Sequence, residues 1–221
     1  MSIQENILSL RSQIRAQALL WGREPESIRL VAVSKRQSIE KIQNALDAGQ
    51  TVFGENRVQE AIEHWADLKP RYPDLELRLI GPLQTNKISQ AIALFDVIET
   101  IDREKLARKL GTALREEEKK LPCFIQVNTG EEPQKAGISP KDFEAFLEFC
   151  QHECGLDIQG LMCIPPVDEP AALHFSLLKN MAVAHDLPHL SMGMSADYEQ
   201  AIAAGATYIR VGTGVFGMRE V

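Results

Sequence analysis

One lysine stands at a position in the sequence where an amine can do chemistry. Lys35 ends a nearly unbroken apolar run, Ile28-Arg29-Leu30-Val31-Ala32-Val33-Ser34-Lys35, and a helix start at Ser38 follows closely. Such a run is typical of a strand buried on both faces of a parallel sheet. Because ligands of parallel α/β folds bind at the carboxyl ends of the strands, we expect Lys35 to point into a site. There it could form a Schiff base with a carbonyl compound; the alternative is a surface lysine at a strand end.

Two segments near the carboxyl terminus have residue types that bind phosphate. Ser195 is expected at the end of a seventh strand as the cap of the next helix, and Gly212-Thr213-Gly214 lies on an eighth strand. Glycines let the backbone approach an anion closely, and barrels commonly bind phosphate at the loops after strands seven and eight. The structural alternative is that Ser195 only caps its helix and the glycines only pack the barrel. Their joint position opposite a lysine favours a phosphorylated ligand.

The elements that must position these residues alternate along the whole chain. Strands are predicted over residues 28–35, 51–56, 75–81, 97–101, 122–129, 158–164, 189–195 and 208–215. Every strand but the last is followed by a predicted helix, and a further amphipathic helix from Ile3 to Trp21 precedes the first. Eight such units are the number that closes a parallel (β/α)8 barrel of the TIM type. We therefore expect one α/β domain over residues 1–221 with an extra N-terminal helix, and a doubly wound open sheet is the alternative.

A phosphate beside the last two strands and an aldehyde-reactive lysine after the first together describe pyridoxal phosphate (PLP). Arg210, two residues before Gly212 on the same strand, could face the nitrogen of the PLP ring. An arginine stays charged at all relevant pH values, so it would disfavour protonation of that nitrogen and make the ring a weaker electron sink. The alternative is an arginine buried against the strand and paired with an acid such as Asp197.

The composition restricts the classes of partner. The 221 residues carry a formal net charge of -7 at pH 7, which argues against nucleic acid or an anionic membrane and favours a small molecule. The first residues lack the basic start and apolar core of a signal peptide, so we expect a cytoplasmic protein with four reduced cysteines. Cys150 and Cys154 flank His152 on a predicted helix, but this only faintly suggests a metal site because no second ligand pair with zinc-site spacing accompanies them.

Six segments, in chain order, resemble the signatures of the pyridoxal phosphate homeostasis protein family, whose members are single-barrel relatives of the N-terminal domain of bacterial alanine racemase. They are VAVSK at 31–35, FGENRVQE at 53–60, IGPLQTNK at 80–87, GLM at 160–162, MGMSAD at 192–197 and RVGTGVFG at 210–217. The resemblance covers nearly the whole chain and implies a type III pyridoxal-phosphate fold. In that fold Lys35 would form the Schiff base and Asn56 would contact the polar edge of the ring.

The resemblance also implies the remaining PLP contacts. Ser195, Gly212 and Thr213 would hold the phosphate, and Arg210 would face the ring nitrogen. Two positions depart from the family pattern: Arg78 stands where a histidine is usual, and Pro82 stands where a histidine is frequent. No histidine role is carried over to either position.

The function implied by the resemblance is intracellular buffering, carriage or delivery of PLP, without strong catalytic activity. Alanine racemases use a lysine and a tyrosine from a second, β-rich domain as their two bases, and we expect no such domain here because the chain ends just after its eighth strand. Tyr72, Tyr198 and Tyr208 are predicted away from the open face of the barrel. One alternative is a slow amino-acid racemase or another PLP enzyme that uses Lys35. The other is a Schiff-base aldolase or isomerase acting on a sugar phosphate. We expect a monomer that contacts PLP-receiving proteins only transiently.

Overall fold

The computed structural model describes residues 2–217, and its strands form one closed parallel barrel. The strands follow one another around the barrel in chain order, and the eighth pairs with the first. They are β1 (Arg29–Val33), β2 (Val52–Glu55), β3 (Glu76–Leu79), β4 (Val97–Ile101), β5 (Pro122–Val127), β6 (Asp157–Cys163), β7 (His189–Ser191) and β8 (Tyr208–Val211). The (β/α)8 architecture expected from the strand and helix patterns is confirmed, and the open sheet is excluded.

The α-helices surround the barrel. They are α1 (Ile3–Leu20), α2 (Ile39–Asp47), α3 (Val58–Trp65), α4 (Ile88–Leu94), α5 (Glu104–Glu116), α6 (Phe143–Glu148), α7 (Ala171–Ala184), α8 (Tyr198–Ala204) and α9 (Thr213–Phe216). The extra N-terminal helix α1 begins at a capping box formed by Ser2 and Glu5, and it packs against α2, α8 and α9. No helix within residues 2–217 is both long and apolar enough to cross a membrane.

Side chains of β1 alternate between two apolar regions. Leu30 and Ala32 of β1 pack into the large cluster between barrel and helices, whereas Val31 packs into a separate, smaller cluster. Since neighbouring side chains on a strand point to opposite faces, the smaller cluster lies inside the barrel. Its members are Val31, Val52, Val97, Phe124, Met162 and Tyr208. The barrel interior is therefore a packed core, as in other barrels of this type.

The segment around Ser195 differs from the expectation. We expected β7 to run to Ser195 and this residue to cap the next helix, but β7 ends at Ser191 and α8 begins only at Tyr198. The carboxylate of Asp197 accepts a hydrogen bond from the backbone N–H of Met194 at 2.6 Å, which closes a turn in place of the expected cap. Ser195 consequently lies in the loop between β7 and α8, still at the carboxyl end of the barrel.

The end of the eighth strand also differs. β8 stops at Val211, and a short helix, α9, follows it, whereas the sequence predicted a strand to residue 215 with no helix after it. Gly214 serves packing here: a Cβ at this position would lie 2.8 Å from Cγ1 of Val211 and 3.4 Å from Cδ1 of Leu10 on α1. The glycine thus lets α9 turn back against the N-terminal helix.

The cysteines give no indication of a metal site. All four are buried free thiols, and burial raises the pKa of the Cys150 thiol to about 12. Cys150 lies on a π-helical turn, Phe149–Glu153, that extends α6, while His152 on the same turn is exposed. Protonated, buried thiols of this kind behave as small apolar side chains.

Candidate functional site

One cavity at the carboxyl ends of the strands contains every residue predicted to contact a ligand. Its volume is about 180 Å³. The predicted residues that line it are Lys35, Asn56, Ser195, Arg210, Gly212 and Thr213. Residues at the carboxyl ends of β1, β2 and β8 and in the loop after β7 thus meet at one place, as parallel strands of a closed barrel require. The apolar part of the wall includes Val33, Ile80 and Ile164.

The segment that carries Lys35 is held on both sides by carboxylates. Ser34 Oγ donates to Oε1 of Glu55 at 2.6 Å, and the backbone N–H of Arg36 donates to Oε1 of Glu60. Arg36 itself has φ +58°, a left-handed conformation that is uncommon for a residue with a side chain. Lys35 therefore projects from a backbone whose direction is fixed immediately before and after it, and its side chain is half-buried.

A buried acid and a histidine stand behind this segment. Glu55 is 0% exposed, and its Oε1 also accepts from Nε1 of Trp65 at 3.1 Å and lies 2.8 Å from Nδ1 of His64. The hydrogen bond to Glu55 raises the pKa of His64 above its usual value, against the opposing effect of burial. The imidazolium form of His64 thus compensates the buried carboxylate.

Sequence reasoning missed this group of residues, although a pattern for it exists. Glu60 and His64 are four residues apart on α3 and so share one face of the helix, directly after the motif that ends β2. Ligand atoms of Glu55, Glu60 and His64 lie within 4.8 Å of one another. Oε1 of each carboxylate accepts a hydrogen bond from the segment around Lys35, so the group holds that segment in place.

Asn56 is placed by close packing between the ends of β2 and β3. A Cβ on Gly81 would lie 2.2 Å from the backbone oxygen of Asn56, so only glycine permits the two loops to approach this closely. The carbonyl of Gly81 in turn accepts a hydrogen bond from Oγ1 of Thr100 at 2.8 Å. Pro82, one of the departures from the family pattern, is exposed and lines a neighbouring cavity of about 500 Å³ together with Asn56 and Lys87.

Arg210 is buried and does not pair with Asp197, the partner considered in the structural alternative. Its Nη1 donates to Oγ of Ser191 at 2.8 Å, and its Nη2 donates to the carbonyl of Cys163 at 2.9 Å. Asp197 instead bonds the backbone of Met194. Arg210 is only 4% exposed, and it lines the cavity.

Below Arg210 a chain of polar contacts continues through the barrel interior. Ser191 Oγ donates to Oε2 of Glu99 at 2.5 Å, and Oε1 of Glu99 accepts from Nε of Arg78. Arg78 Nη1 also bonds Oε1 of Glu76 at 2.5 Å, and its guanidinium carbon lies 3.8 Å from the centre of the Tyr208 ring. Burial disfavours the charged form of Arg78, but Glu99 and Glu76 together outweigh it and raise its pKa.

The tyrosines lie outside the cavity lining. The Tyr72 hydroxyl bonds Nε2 of Gln43, and the Tyr198 hydroxyl donates to Oε1 of Gln13 at 2.8 Å. Tyr208 is part of the interior cluster beneath Arg78. The hydroxyls of Tyr72 and Tyr198 therefore bond side chains outside the cavity, and the Tyr208 ring packs inside the barrel.

The donor set of the cavity fits an anionic carbonyl compound. An amine (Lys35), a guanidinium (Arg210), two hydroxyls (Ser195 and Thr213) and an amide (Asn56) line the same space. Cations and hydroxyls are the usual partners of phosphate, and a lysine amine is the usual partner of an aldehyde. The residues present therefore suit a phosphorylated aldehyde.

The family model and the curated relatives that match this chain indicate the same family. Residues 2–220 match the family model described as alanine racemase, N-terminal domain. The pyridoxal phosphate homeostasis protein of Vibrio alginolyticus is 41% identical, with 99% of this chain and 98% of the relative covered. The protein of the same name from Escherichia coli (strain K12) is 39% identical, with 99% and 97% covered.

Solved structures agree with these relatives. PipY of Synechococcus elongatus PCC7942, determined with PLP bound, superposes with a TM-score of 0.85 at 38% identity and covers 98% of this chain and 100% of its own. An alanine racemase of Clostridium difficile 630 superposes with a TM-score of 0.70 over 89% of this chain and 53% of its own, and at 14% identity it shows the fold alone. The chain thus belongs to the alanine racemase N-terminal domain family and, within it, to the pyridoxal phosphate homeostasis proteins.

Proposed function

We propose that the protein binds PLP in the cavity at the carboxyl ends of the strands and acts in homeostasis of this cofactor by buffering, carrying or delivering it. The observation that carries the proposal is the meeting of Lys35, Arg210 and the two hydroxyls of Ser195 and Thr213 around one cavity. The PLP-bound structure of PipY, at 38% identity, supports the same assignment.

Each lining residue has a proposed task. Lys35 supplies the amine for covalent attachment, and the segment around it keeps that amine directed into the cavity. The hydroxyls of Ser195 and Thr213 and the backbone at Gly212 bind the phosphate. Arg210 presents its charge to the ring nitrogen, and Asn56 contacts the polar edge of the ring. When bound, PLP supplies an aldehyde that condenses with amines and a ring that can accept electrons.

We propose further that the protein has no strong catalytic activity of its own. Arg210 carries a permanent charge, and such a charge disfavours protonation of the ring nitrogen and so weakens the ring as an electron acceptor. The three tyrosines are engaged elsewhere, so within residues 2–217 no phenol stands opposite Lys35 as a second base. A slow racemase reaction that depends on Lys35 is the competing function.

The location and the partners of the protein are part of the proposal. A formal net charge of -7 favours a small-molecule ligand over nucleic acid or an anionic membrane, and we propose that the protein is cytoplasmic. Delivery of the cofactor implies short-lived contacts with the proteins that receive it, and we propose that the protein acts as a monomer.

The decisive experiment is the visible absorbance spectrum of the purified protein before and after borohydride, followed by a peptide map. We expect a visible band that bleaches on reduction and a phosphopyridoxyl group on Lys35. A colourless protein that does not take up PLP would overturn the proposal and favour a sugar-phosphate aldolase or isomerase. Incubation of the loaded protein with single enantiomers of amino acids tests the racemase alternative, since a change of stereochemistry that disappears in Lys35→Ala would establish it.

A further inference from the structure

Three polar side chains beneath Arg210, inside the barrel, have no task in the proposed function. Arg210, Ser191, Glu99 and Arg78, which we call the interior chain, form a continuous series of hydrogen bonds from the cavity into the barrel. All four side chains are at most 4% exposed. Buried charges require compensation, so this arrangement is costly to maintain unless every member is paired.

The direction of every hydrogen bond in the interior chain is determined by chemistry. A guanidinium only donates and a carboxylate only accepts, so the Ser191 hydroxyl must point its hydrogen at Glu99 and its lone pair at Arg210. The hydroxyl therefore has one orientation. Arg210 consequently receives a fixed acceptor on Nη1, in addition to the carbonyl of Cys163 on Nη2.

The charges along the interior chain alternate. Glu99 lies between two arginines, because its Oε1 accepts from Arg78 and its Oε2 accepts from the hydroxyl that Arg210 bonds. Arg78 also forms an ion pair with Glu76, a partly buried acid at the opposite end of the barrel from the cavity. Glu99 thus compensates both cations, and Arg78 keeps Glu99 in place from the side away from the cavity.

We propose that Ser191 and Glu99 are positioning residues for PLP: they fix the orientation of the Arg210 guanidinium and balance its charge where it meets the ring. Arg78 stands at a position where the family usually has a histidine. It holds Glu99 in place and so contributes to the same positioning of Arg210. The inference rests on the proposed function, since it concerns how Arg210 is presented to PLP. A purely structural role would instead affect stability alone.

The test uses Ser191→Ala and Glu99→Gln, with Thr129→Val as the matched control. Thr129 is also buried, and within residues 2–217 its hydroxyl makes no hydrogen bond to the interior chain. Ser191→Ala removes the acceptor on Nη1 of Arg210 without changing charge. Glu99→Gln replaces a carboxylate by an amide, which changes the charge between the two arginines. Either variant decides the question should the other not fold.

Two readouts are taken on the PLP-loaded protein: the dissociation constant of PLP and the pH dependence of its absorption band. We expect Ser191→Ala and Glu99→Gln to raise the dissociation constant by about threefold to tenfold and to alter the pH dependence, because the ring nitrogen meets a reoriented guanidinium. Thr129→Val should match the unaltered protein in both readouts. Binding and spectra of both variants identical to those of the unaltered protein would overturn the inference and leave the proposed function intact. Failure of the unaltered protein to bind PLP would overturn both.

Discussion

The hydroxyl of Ser34 donates to Oε1 of Glu55 at 2.6 Å, and both side chains are 0% exposed. This bond fixes the backbone directly before Lys35. A second carboxylate, that of Glu60, accepts from the backbone directly after it. The motif that ends β2 and begins α3 therefore serves the lysine at the end of β1, and changes in this motif should alter the reactivity of Lys35.

Glu55→Gln should slow borohydride-trapped labelling of Lys35 by PLP and lower the free energy of unfolding by about 2 kcal/mol, because hydrogen bonds from Ser34 and Trp65 lose a charged acceptor. Peptide mapping over time and urea denaturation measure the two effects. Glu63→Gln, an exposed position on α3, is the control and should change neither. Unchanged labelling in Glu55→Gln would show that Glu55 supports the fold without directing the lysine.

Lys35→Ala should abolish covalent attachment and leave the barrel intact. Lys35 lies two residues beyond β1 and is half-buried, so the free energy of unfolding should change by less than about 1 kcal/mol. Circular dichroism and the PLP retained after borohydride and dialysis measure the two properties. Lys105→Ala, an exposed lysine on α5, should keep full labelling. Loss of the circular dichroism signal in Lys35→Ala would contradict the placement of the lysine outside the core.

His64→Gln should remove part of the pH dependence of stability. The pKa of His64 is raised in the folded protein by its hydrogen bond to Glu55. A group with a raised folded pKa stabilises the fold fully below its unfolded pKa, near 6.5, and this contribution disappears as the pH rises through the folded value. The difference in unfolding free energy between the unaltered protein and His64→Gln should thus be largest near pH 6 and decrease toward higher pH.

Urea denaturation at several pH values measures this difference. The comparison must be made between the two proteins, because His189 contributes with the opposite sign: burial lowers its pKa, and its contribution disappears as the pH falls. His152→Gln, at an exposed position, is the control and should leave the pH profile unchanged. A difference between unaltered protein and His64→Gln that stays constant with pH would refute the charged pairing of His64 with Glu55.

Arg78→Met should lower the free energy of unfolding by about 3 to 5 kcal/mol, because it removes the direct partner of the fully buried Glu99. Arg108→Met is a matched control. Its partner Glu153 lies 3.3 Å away, but both side chains are more than half exposed, so the loss should be at most about 1 kcal/mol. Chemical denaturation of both variants gives the comparison, and equal losses would contradict the assignment of a buried ion pair.

The periodic parts of the fold could be predicted because their information is local. The apolar run before Lys35 and the Gly212 segment each identify a strand end, and eight repeated units then require that these ends meet. The helix α9 was missed because Gly214 was interpreted as a ligand-approach position, although its reason is contact with Val211 and Leu10 of α1. Packing against a helix some two hundred residues earlier leaves no local pattern.

The interior chain was missed for a related reason. Glu99 stands in an otherwise apolar strand, and Arg78 stands between two leucines, so each looks like an isolated anomaly in the sequence. The role of each residue is visible only from its partner. Ser191 and Glu99, for example, are 92 positions apart and come into contact only in the closed barrel. A buried acid and a buried arginine on neighbouring strands are the pattern that could have identified the pair.

The pairing of β1 with β8 has a consequence for the synthesis of the protein. Val31 lies opposite Arg210 in this pair, so the amine of the proposed site comes from the beginning of the chain, whereas the arginine and the proposed phosphate-binding backbone come from its end. This pairing joins distant parts of the chain, and it forms only after β8 has left the ribosome. The full set of proposed PLP contacts therefore exists only when translation and barrel closure are both complete.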